Sequence, residues 1–171
     1  MTVVCETDRL IIRHFQLSDA EFIVRLLNEE SFIRHIADKK VRTNADAENY
    51  LLNGPLNSYK TFGFGLNLVE LKSSRTPVGM CGLLKRTELD HPDIGFAFLP
   101  EFFGKGFAYE ATLSILNDGF STHALQTILA VTLPDNISSN ALLRKAGFNP
   151  IGKMELYGSE NNVYEYRVKN N

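Results

Sequence analysis

Two closely spaced glycines mark the segment of this sequence with the clearest chemical potential. Gly104 and Gly106 stand between an extended apolar run and a segment with helical periodicity. A helix start exposes unpaired N–H groups and carries about half a unit of positive charge, and glycine lets the backbone approach a phosphate closely. The spacing therefore predicts an anion site built from backbone. It is also typical of a plain tight turn, and by itself it does not decide between the two.

Other nucleotide loops and hydrolase motifs are absent from the sequence. The pair Gly104-Lys105 is followed by glycine instead of serine or threonine, so there is no P-loop. A dinucleotide fingerprint needs a third glycine where Tyr109 stands. The chain also lacks an H-x-x-x-H pair and a G-x-S-x-G turn, which leaves metalloprotease and serine-hydrolase chemistry without an anchor.

The composition narrows the class of protein. The chain has 171 residues, of which 44% are hydrophobic, and a formal net charge of -2. This length and apolar content predict one domain over residues 1–171, and the slight acidity argues against a nucleic-acid binder. Cys5 and Cys81 form no C-x-x-C pair, and no signal peptide or membrane span is evident. We expect a cytoplasmic protein with no membrane partner.

The first part of the chain predicts a strand followed by helices. Residues 10–14 are short and β-branched and predict a strand. Ser18 and Glu21 have the spacing of a capping box, and the apolar positions after them predict a helix that packs on a sheet. A second, short helix is expected from Thr43 until glycine and proline stop it at residues 53–55.

The remaining elements surround the two glycines. Residues 61–86 predict two antiparallel strands joined by a polar connector. Beyond them we expect strands at 93–99 and 127–133, helices at 107–120 and up to Gly147, two last strands at 148–157 and 163–168 around a turn at 158–162, and a frayed tail at 169–171.

Three blocks of sequence together resemble a known family. They are TDRLIIR at residues 7–13, GFAFLPEFFGKGFAYEA at 95–111 and NISSNALLRKAGF at 136–148. With them the chain resembles the GCN5-related N-acetyltransferases (GNAT), specifically the branch that acetylates ribosomal-protein N-termini. The resemblance implies an α+β fold with a central mixed, mostly antiparallel sheet of about seven strands and about four helices. It also implies that the fourth and fifth strands, 93–99 and 127–133, splay apart around acetyl-CoA, a co-substrate, and that no metal takes part.

The resemblance assigns cofactor-binding roles to particular residues. The family's pyrophosphate loop falls on residues 103–108, where Phe103 departs from the glutamine or arginine of the family. The backbone at Phe98 and Leu99 would pair with the pantetheine amides and stabilise the oxyanion. Asn136 would hydrogen-bond pantetheine, and Arg144 would approach the 3′-phosphate. The full set is Phe98, Leu99, Phe103, Gly104, Lys105, Gly106, Phe107, Ala108, Asn136, Asn140 and Arg144.

The implied mechanism is a direct attack of a neutral primary amine on the thioester, which needs a base and a weak acid. Many relatives carry a tyrosine acid where this chain has Leu143, so Ser139 is the candidate acid. Some relatives carry a glutamate base where this chain has Thr132, so Asp93 is the candidate base, with Glu88 second. Packing or capping for Ser139 and a solvated strand end for Asp93 are the structural alternatives.

Two kinds of function remain open. One is an acetyl-CoA-dependent N-acetyltransferase for a protein or peptide N-terminus or a small-molecule amine, with another acyl donor as a variant. The other is a non-catalytic acyl-CoA-binding sensor or partner module, because two familiar catalytic positions hold Leu143 and Thr132. The protein is expected to be a monomer or a homodimer, the latter through an edge strand at 163–168.

Overall fold

The computed structural model describes residues 1–168. In this part of the chain one eight-stranded sheet is covered by six α-helices. The strands are β1 (Val3–Glu6), β2 (Leu10–His14), β3 (Leu66–Leu71), β4 (Pro77–Leu84), β5 (Asp93–Phe98), β6 (Thr127–Thr132), β7 (Asn149–Leu156) and β8 (Ser159–Arg167). The helices are α1 (Ala20–Leu27), α2 (Glu30–His35), α3 (Asn44–Asn53), α4 (Pro55–Phe62), α5 (Phe107–Ser121) and α6 (Ile137–Ala146). The predicted α+β fold is confirmed, with one more strand and two more helices than expected.

One parallel pair interrupts an otherwise antiparallel sheet. The strand order is β1-β2-β3-β4-β5-β6-β8-β7, and β5 with β6 is the parallel pair. A parallel connection needs a long crossover, which the 15-residue helix α5 provides. These two strands are the ones predicted to splay apart.

The sheet separates two helical layers, each with its own core. On one face, α5 and α6 contribute the buried residues Phe107, Ala111, Ile115, Leu116, Leu143 and Ala146. On the other face, α1 to α3 contribute Ile23, Leu26, Leu27, Phe32, Ala47 and Leu51. Side chains alternate along a strand, so Phe96 and Phe98 of β5 join the first core while Ala97 and Leu99 join the second. Both faces of β5 are therefore covered.

The start of α1 differs from its prediction. The Gln16 backbone N–H donates to the Asp19 carboxylate at 2.8 Å, and a 3-10 turn over Leu17–Asp19 precedes the helix. The position of the Asp19 carboxylate is fixed because buried Arg13 donates to both of its oxygens at 3.0 and 2.9 Å. The capping box predicted for Ser18 and Glu21 is therefore wrong. The capping carboxylate is that of Asp19, which the ion pair with Arg13 holds in place, and not that of Glu21.

Helix α4 occupies sequence that was expected to be mostly loop, between the predicted stop at residues 53–55 and the predicted strand from residue 61. It begins at Pro55, immediately after the predicted stop, because proline fits the first helical position where no N–H is needed. It ends at Gly63, whose φ of 81° is accessible to glycine. Strand β3 consequently begins at Leu66 instead of near residue 61. Strand β1 and helix α2 were not predicted either, because four and six residues carry little periodicity.

The C-terminal hairpin also differs. Its turn contains only Tyr157 and Gly158, both with positive φ, so β8 begins at Ser159. Strand β8 lies between β6 and β7, and the sheet edges are β1 and β7. The expectation of an edge strand at 163–168 that pairs across a dimer is therefore wrong. The predicted tail at 169–171 lies outside the described residues. Across residues 1–168, every helix is too short or too polar to cross a bilayer.

Candidate active site

A gap opens between the two parallel strands. Strands β5 and β6 pair at one point, Asp93 with Leu129, where the Leu129 N–H donates to the Pro92 carbonyl at 2.9 Å. Beyond that point the strands diverge, and a cavity of about 860 Å³ begins there. Its inner half is lined by the gap and the start of α6: Ile94, Gly95, Phe96, Ala130, Val131, Thr132, Leu133, Asn136, Ser139 and Leu143.

The direction of the backbone groups shows which of them face the gap. The Leu99 N–H donates to the Val78 carbonyl of β4 at 2.9 Å, and the Leu99 carbonyl accepts from Phe102 at 3.0 Å. Hydrogen-bonding direction alternates along an antiparallel strand, so Phe96 and Phe98 direct their N–H and C=O groups toward β6. The prediction that Leu99 supplies a backbone donor is wrong because that donor is already used. Phe96, which sequence reasoning missed, is the residue that, like Phe98, directs its backbone N–H and C=O groups into the gap.

The loop after β5 has the conformation that the two glycines allow. Gly104 and Gly106 have φ values of 73° and 82°, which side-chain-bearing residues adopt at a cost. Gly106 is the N-cap of α5, so the first N–H groups of a 15-residue helix begin beside it. A Cβ at Gly104 would meet no protein atom within 4 Å. This open backbone at a helix start is the geometry that suits a phosphate.

Arg9 fixes the backbone of this loop against α5, a role that sequence reasoning missed. Its guanidinium donates to the Lys105 carbonyl at 2.9 Å and to Glu110 of α5 at 2.8 Å, and it lies 4.4 Å from the Phe107 ring. Because C=O and N–H point in opposite directions across a trans peptide, fixing the Lys105 carbonyl directs the Gly106 N–H away from Arg9. The TDRL block of the resemblance was the available signal.

The other loop residues divide into exposed and buried positions. Phe103 is 52% exposed, and the Lys105 ammonium lies 5.6 Å from the Phe102 ring at the surface. Phe107 is buried in the core, and Ala108 packs against it. Backbone rather than side chains therefore forms the surface that the loop offers to a ligand.

The start of α6 supplies two polar side chains to the inner half. Asn136 caps the helix, its side-chain oxygen accepting the Ser139 N–H at 3.4 Å. Ser139 is half-buried and lines the cavity, and across residues 1–168 its hydroxyl makes no hydrogen bond. That hydroxyl is free to serve a ligand.

Asn140 is occupied by the protein itself. It is 7% exposed, and its oxygen accepts from the hydroxyls of Thr132 and Tyr164 at 2.6 and 2.8 Å. Its amide donates to the loop carbonyls of Leu133, Pro134 and Asn136. Asn140 thus joins β6, β8 and α6, and the predicted cofactor contact has no free polar atom to use. Arg144, one turn further along α6, is exposed.

Asp93 and Arg86 form a buried ion pair at the start of β5. The Arg86 Nε atom lies 3.0 and 3.1 Å from the two oxygens of Asp93, which has no solvent exposure. Burial raises the pKa of the Asp93 carboxyl to about 6, although Arg86 opposes the shift. Arg86 lines the cavity and Asp93 does not. The base role of Asp93 stays a prediction, and its direct partner is Arg86.

The outer half of the cavity is built from separate segments. It is lined by α2 and the loop after it, the α3–α4 junction together with α4, the loop after β4 and the β7–β8 turn. Exposed apolar side chains, Ile36, Phe62 and Tyr157, stand beside the basic residues Lys39, Lys85 and Arg86. Asp38 is the acidic side chain in this lining within the described chain, and it pairs with Arg42 at 2.8 Å.

A splayed parallel pair and a glycine loop at a helix start together leave unpaired backbone groups and free helix N–H groups on one strand and the loop after it. Residues 9–149 match the family model of the acetyltransferase (GNAT) domain. The chain belongs to this GNAT family and is an acetyltransferase.

Relatives and solved structures agree with this assignment. The uncharacterized N-acetyltransferase YoaA of Bacillus subtilis is 28% identical over 163 residues, which cover 94% of this chain and 91% of YoaA. The fold matches RimL, a ribosomal alpha-N-protein acetyltransferase in complex with coenzyme A, with a TM-score of 0.84 at 15% identity over 97% and 98% of the two chains. It also matches the microcin C7 self-immunity acetyltransferase MccE in complex with acetyl-CoA and AMP, with a TM-score of 0.80 at 19% identity over 95% and 94%.

Proposed function

We propose that this protein is an acetyl-CoA-dependent N-acetyltransferase that acetylates a primary amine, on a protein or peptide N-terminus or on a small molecule. The observation that carries the proposal is the gap between β5 and β6, whose unpaired backbone groups line one cavity with a free serine hydroxyl, on the strand that is followed by the glycine loop. RimL acts on a protein N-terminus, which supports the first acceptor class. The proposal includes one domain over residues 1–171, in the cytoplasm, where free thiols such as Cys5 and Cys81 persist.

The residues of the chain fit acetyl-CoA. Loop residues 103–108 and the start of α5 suit the pyrophosphate because their free N–H groups need no basic cluster. Phe96 and Phe98 offer backbone groups to the pantetheine amides in the manner of an added strand. Asn136 lies beside this path, and Arg144 lies about two turns further along α6 on an exposed face. Asn140 acts by positioning this region.

Acetyl-CoA supplies an acetyl thioester, and the protein supplies orientation and proton transfer. The amine nitrogen bonds to the acetyl carbon, the carbon–sulfur bond breaks, the amine loses a proton and the CoA sulfur gains one. A backbone N–H of Phe96 or Phe98 hydrogen-bonds the carbonyl oxygen as its charge develops. The Ser139 hydroxyl donates the proton to the leaving thiolate. Asp93, paired with Arg86, is the proposed base through water.

The test has two stages. First, thermal unfolding is compared with acetyl-CoA, CoA, NAD and ATP. A ligand at 100 times its Kd stabilises by about 2.7 kcal/mol, which raises Tm by several degrees. A rise confined to the CoA species supports the cofactor assignment, and no rise with any CoA species contradicts it.

Second, release of CoA is followed with a panel of peptides and small amines. Release that depends on an amine supports the transferase. Binding of acetyl-CoA without release on any amine favours the acyl-CoA-binding sensor instead. That alternative is supported by two positions that carry catalytic groups in relatives. Here one holds the apolar Leu143, and the other holds Thr132, whose hydroxyl already donates to Asn140.

A further inference from the structure

The outer half of the cavity differs in charge from the protein as a whole. The chain has a formal net charge of -2, yet Lys39, Lys85 and Arg86 line this half against one carboxylate, Asp38, in the described chain. Potentials inside a cleft depend on the charges that line it more than on net charge. The cleft can therefore attract anions although the protein is slightly acidic.

Two of these four charges are neutralised within the protein. The Asp38 carboxylate accepts from the Arg42 guanidinium at 2.8 Å and from the Lys40 N–H at 2.9 Å. Arg86 is paired with Asp93 at 3.0 Å. Two positive charges remain, those of Lys39 and Lys85.

The two remaining lysines have different surroundings. The Lys85 ammonium donates to the backbone carbonyls of Arg86 and Leu89 at 3.2 and 2.9 Å. For Lys39 the structure gives no hydrogen bond or ion pair anywhere in residues 1–168. Glu88 does not line the cavity and accepts instead from the Tyr157 hydroxyl at 3.2 Å. Lys39 is thus the cation without a hydrogen-bond or ion-pair partner in the outer half of the cavity, within residues 1–168.

The environment of Lys39 favours the arrival of an anion. Protein packed around Lys39 lowers the pKa of its ammonium, and the like charge of Arg86 lowers it further. Lys39 is at the same time an exposed residue, so an anion can reach its ammonium from solvent. A negatively charged group at this point would relieve both effects.

The cofactor phosphates do not reach this position. Arg86 and Asp93 lie at the start of β5, whereas Gly104 and Gly106 follow its end. A six-residue strand spans roughly 17 Å between its first and last residue. The anion that meets Lys39 therefore arrives with the other substrate.

We propose that the acceptor is a primary amine that also carries an anionic group, a carboxylate or a phosphate, and that Lys39 binds this group while the amine enters the gap. This inference rests on the proposed transferase function. The exposed apolar side chains of Ile36 and Phe62 on the same lining would contact the part of the acceptor that joins its two ends.

The test compares acceptors that differ only in the anion. CoA release is measured with glutamate and glutamine, with phosphoserine and serine, and with tetrapeptides that begin Ser-Glu or Ser-Gln. We expect kcat/KM to be about 10-fold higher for the charged member in at least one pair, which is equivalent to about 1.4 kcal/mol. The pair with the largest ratio distinguishes a carboxylate from a phosphate and a small molecule from a peptide. The ratio should shrink at high ionic strength.

Variants at one position decide the role of Lys39. Lys39→Gln should bring the ratio close to 1 and leave the KM for acetyl-CoA unchanged, and Lys39→Arg should retain most of it. Lys60→Gln, on the exposed surface of α4 and outside the lining, is the matched control and should keep the full ratio. Equal rates on charged and neutral members, or a ratio unchanged in Lys39→Gln, would overturn the anion preference and leave the transferase intact. Binding of acetyl-CoA with no release on any acceptor would overturn the transferase itself.

Discussion

The two halves of the cavity are built by different means. The inner half consists largely of backbone: the open edges of β5 and β6 and the start of α6, with the glycine loop following the end of β5. The outer half consists of side chains from four separate segments, including Lys39, Phe62, Arg86 and Tyr157. Backbone geometry is insensitive to most substitutions, whereas a side-chain surface changes with each one. Such a division lets one architecture keep its acyl donor while its acceptor varies.

The largest effect is expected in the glycine loop after β5, which depends on a backbone conformation. Gly104→Val should weaken acetyl-CoA binding at least 100-fold by calorimetry, because the new side chain stands on the surface that a phosphate would approach. No protein atom lies within 4 Å of the new Cβ, so the cost to the protein itself is the backbone strain at a φ of 73° and not a steric clash.

A matched control separates this loss from backbone strain. Gly158 has a similar φ of 83° and equally open surroundings, but it lies in the β7–β8 turn. Gly158→Val should lower Tm about as much as Gly104→Val, since each places a β-branched residue at positive φ, while acetyl-CoA affinity stays within about threefold. Equal affinity losses in the two variants would remove the phosphate role of the loop.

The second effect concerns the side chain through which the inner half would act chemically. Ser139→Ala should lower kcat by about 10- to 1,000-fold if its hydroxyl protonates the thiolate, with the Kd for acetyl-CoA little changed. Ser138→Ala, on the adjacent exposed position of α6, is the control and should retain its rate. An unchanged kcat in Ser139→Ala would leave Ser139 with only a structural role.

A third, smaller effect tests whether Asn140 supports the inner half or contacts the ligand. Asn140→Ala leaves the buried hydroxyls of Thr132 and Tyr164 without their acceptor. We expect the free energy of unfolding to fall by roughly 3 kcal/mol in urea titrations, with kcat and the KM for acetyl-CoA changing by less than about fivefold below Tm. A large rise in KM with unchanged stability would instead restore the cofactor contact.

The strands and helices around the gap and the glycine loop could be predicted because their signals are local. The glycines and the helix after them lie within a few residues of each other, and β6 is an uninterrupted apolar run. The backbone direction at Leu99 was predicted wrongly because it depends on register with Val78, some twenty residues earlier. The role of Arg9 was missed because its partners, Lys105 and Glu110, are about a hundred residues away.

The outer half could not be predicted for the same reason. Its helices α2 and α4 are short, six and eight residues, and α4 begins at a glycine-proline pair that usually marks a stop. Lys39 carries no local motif, and its relation to Arg86 exists only after β4 and β5 have paired. A surface assembled from distant segments leaves no local pattern in the sequence.

The smallest effect is expected at Asp93, where the two halves meet. Its native pKa of about 6 lies above the ordinary value of 3.8, so between these pH values the native state holds a proton that the unfolded state has lost. The free energy of unfolding should therefore fall as pH rises from about 4 to 7, by roughly 2 kcal/mol, and stay level above about pH 7. Asp93→Asn, which cannot titrate, should lack this contribution, so the difference between the two proteins in urea titrations should change by that amount across this window. A second measurement tests the base role of Asp93. If Asp93 is the base, kcat/KM of the native protein should rise through pH 6, since a base must be ionised to act. A stability difference that is constant from pH 4 to 8 would show that Arg86 keeps Asp93 ionised throughout. Asp93 would then be a permanent counter-ion of Arg86, and a rise of kcat/KM through pH 6 could not be assigned to its titration.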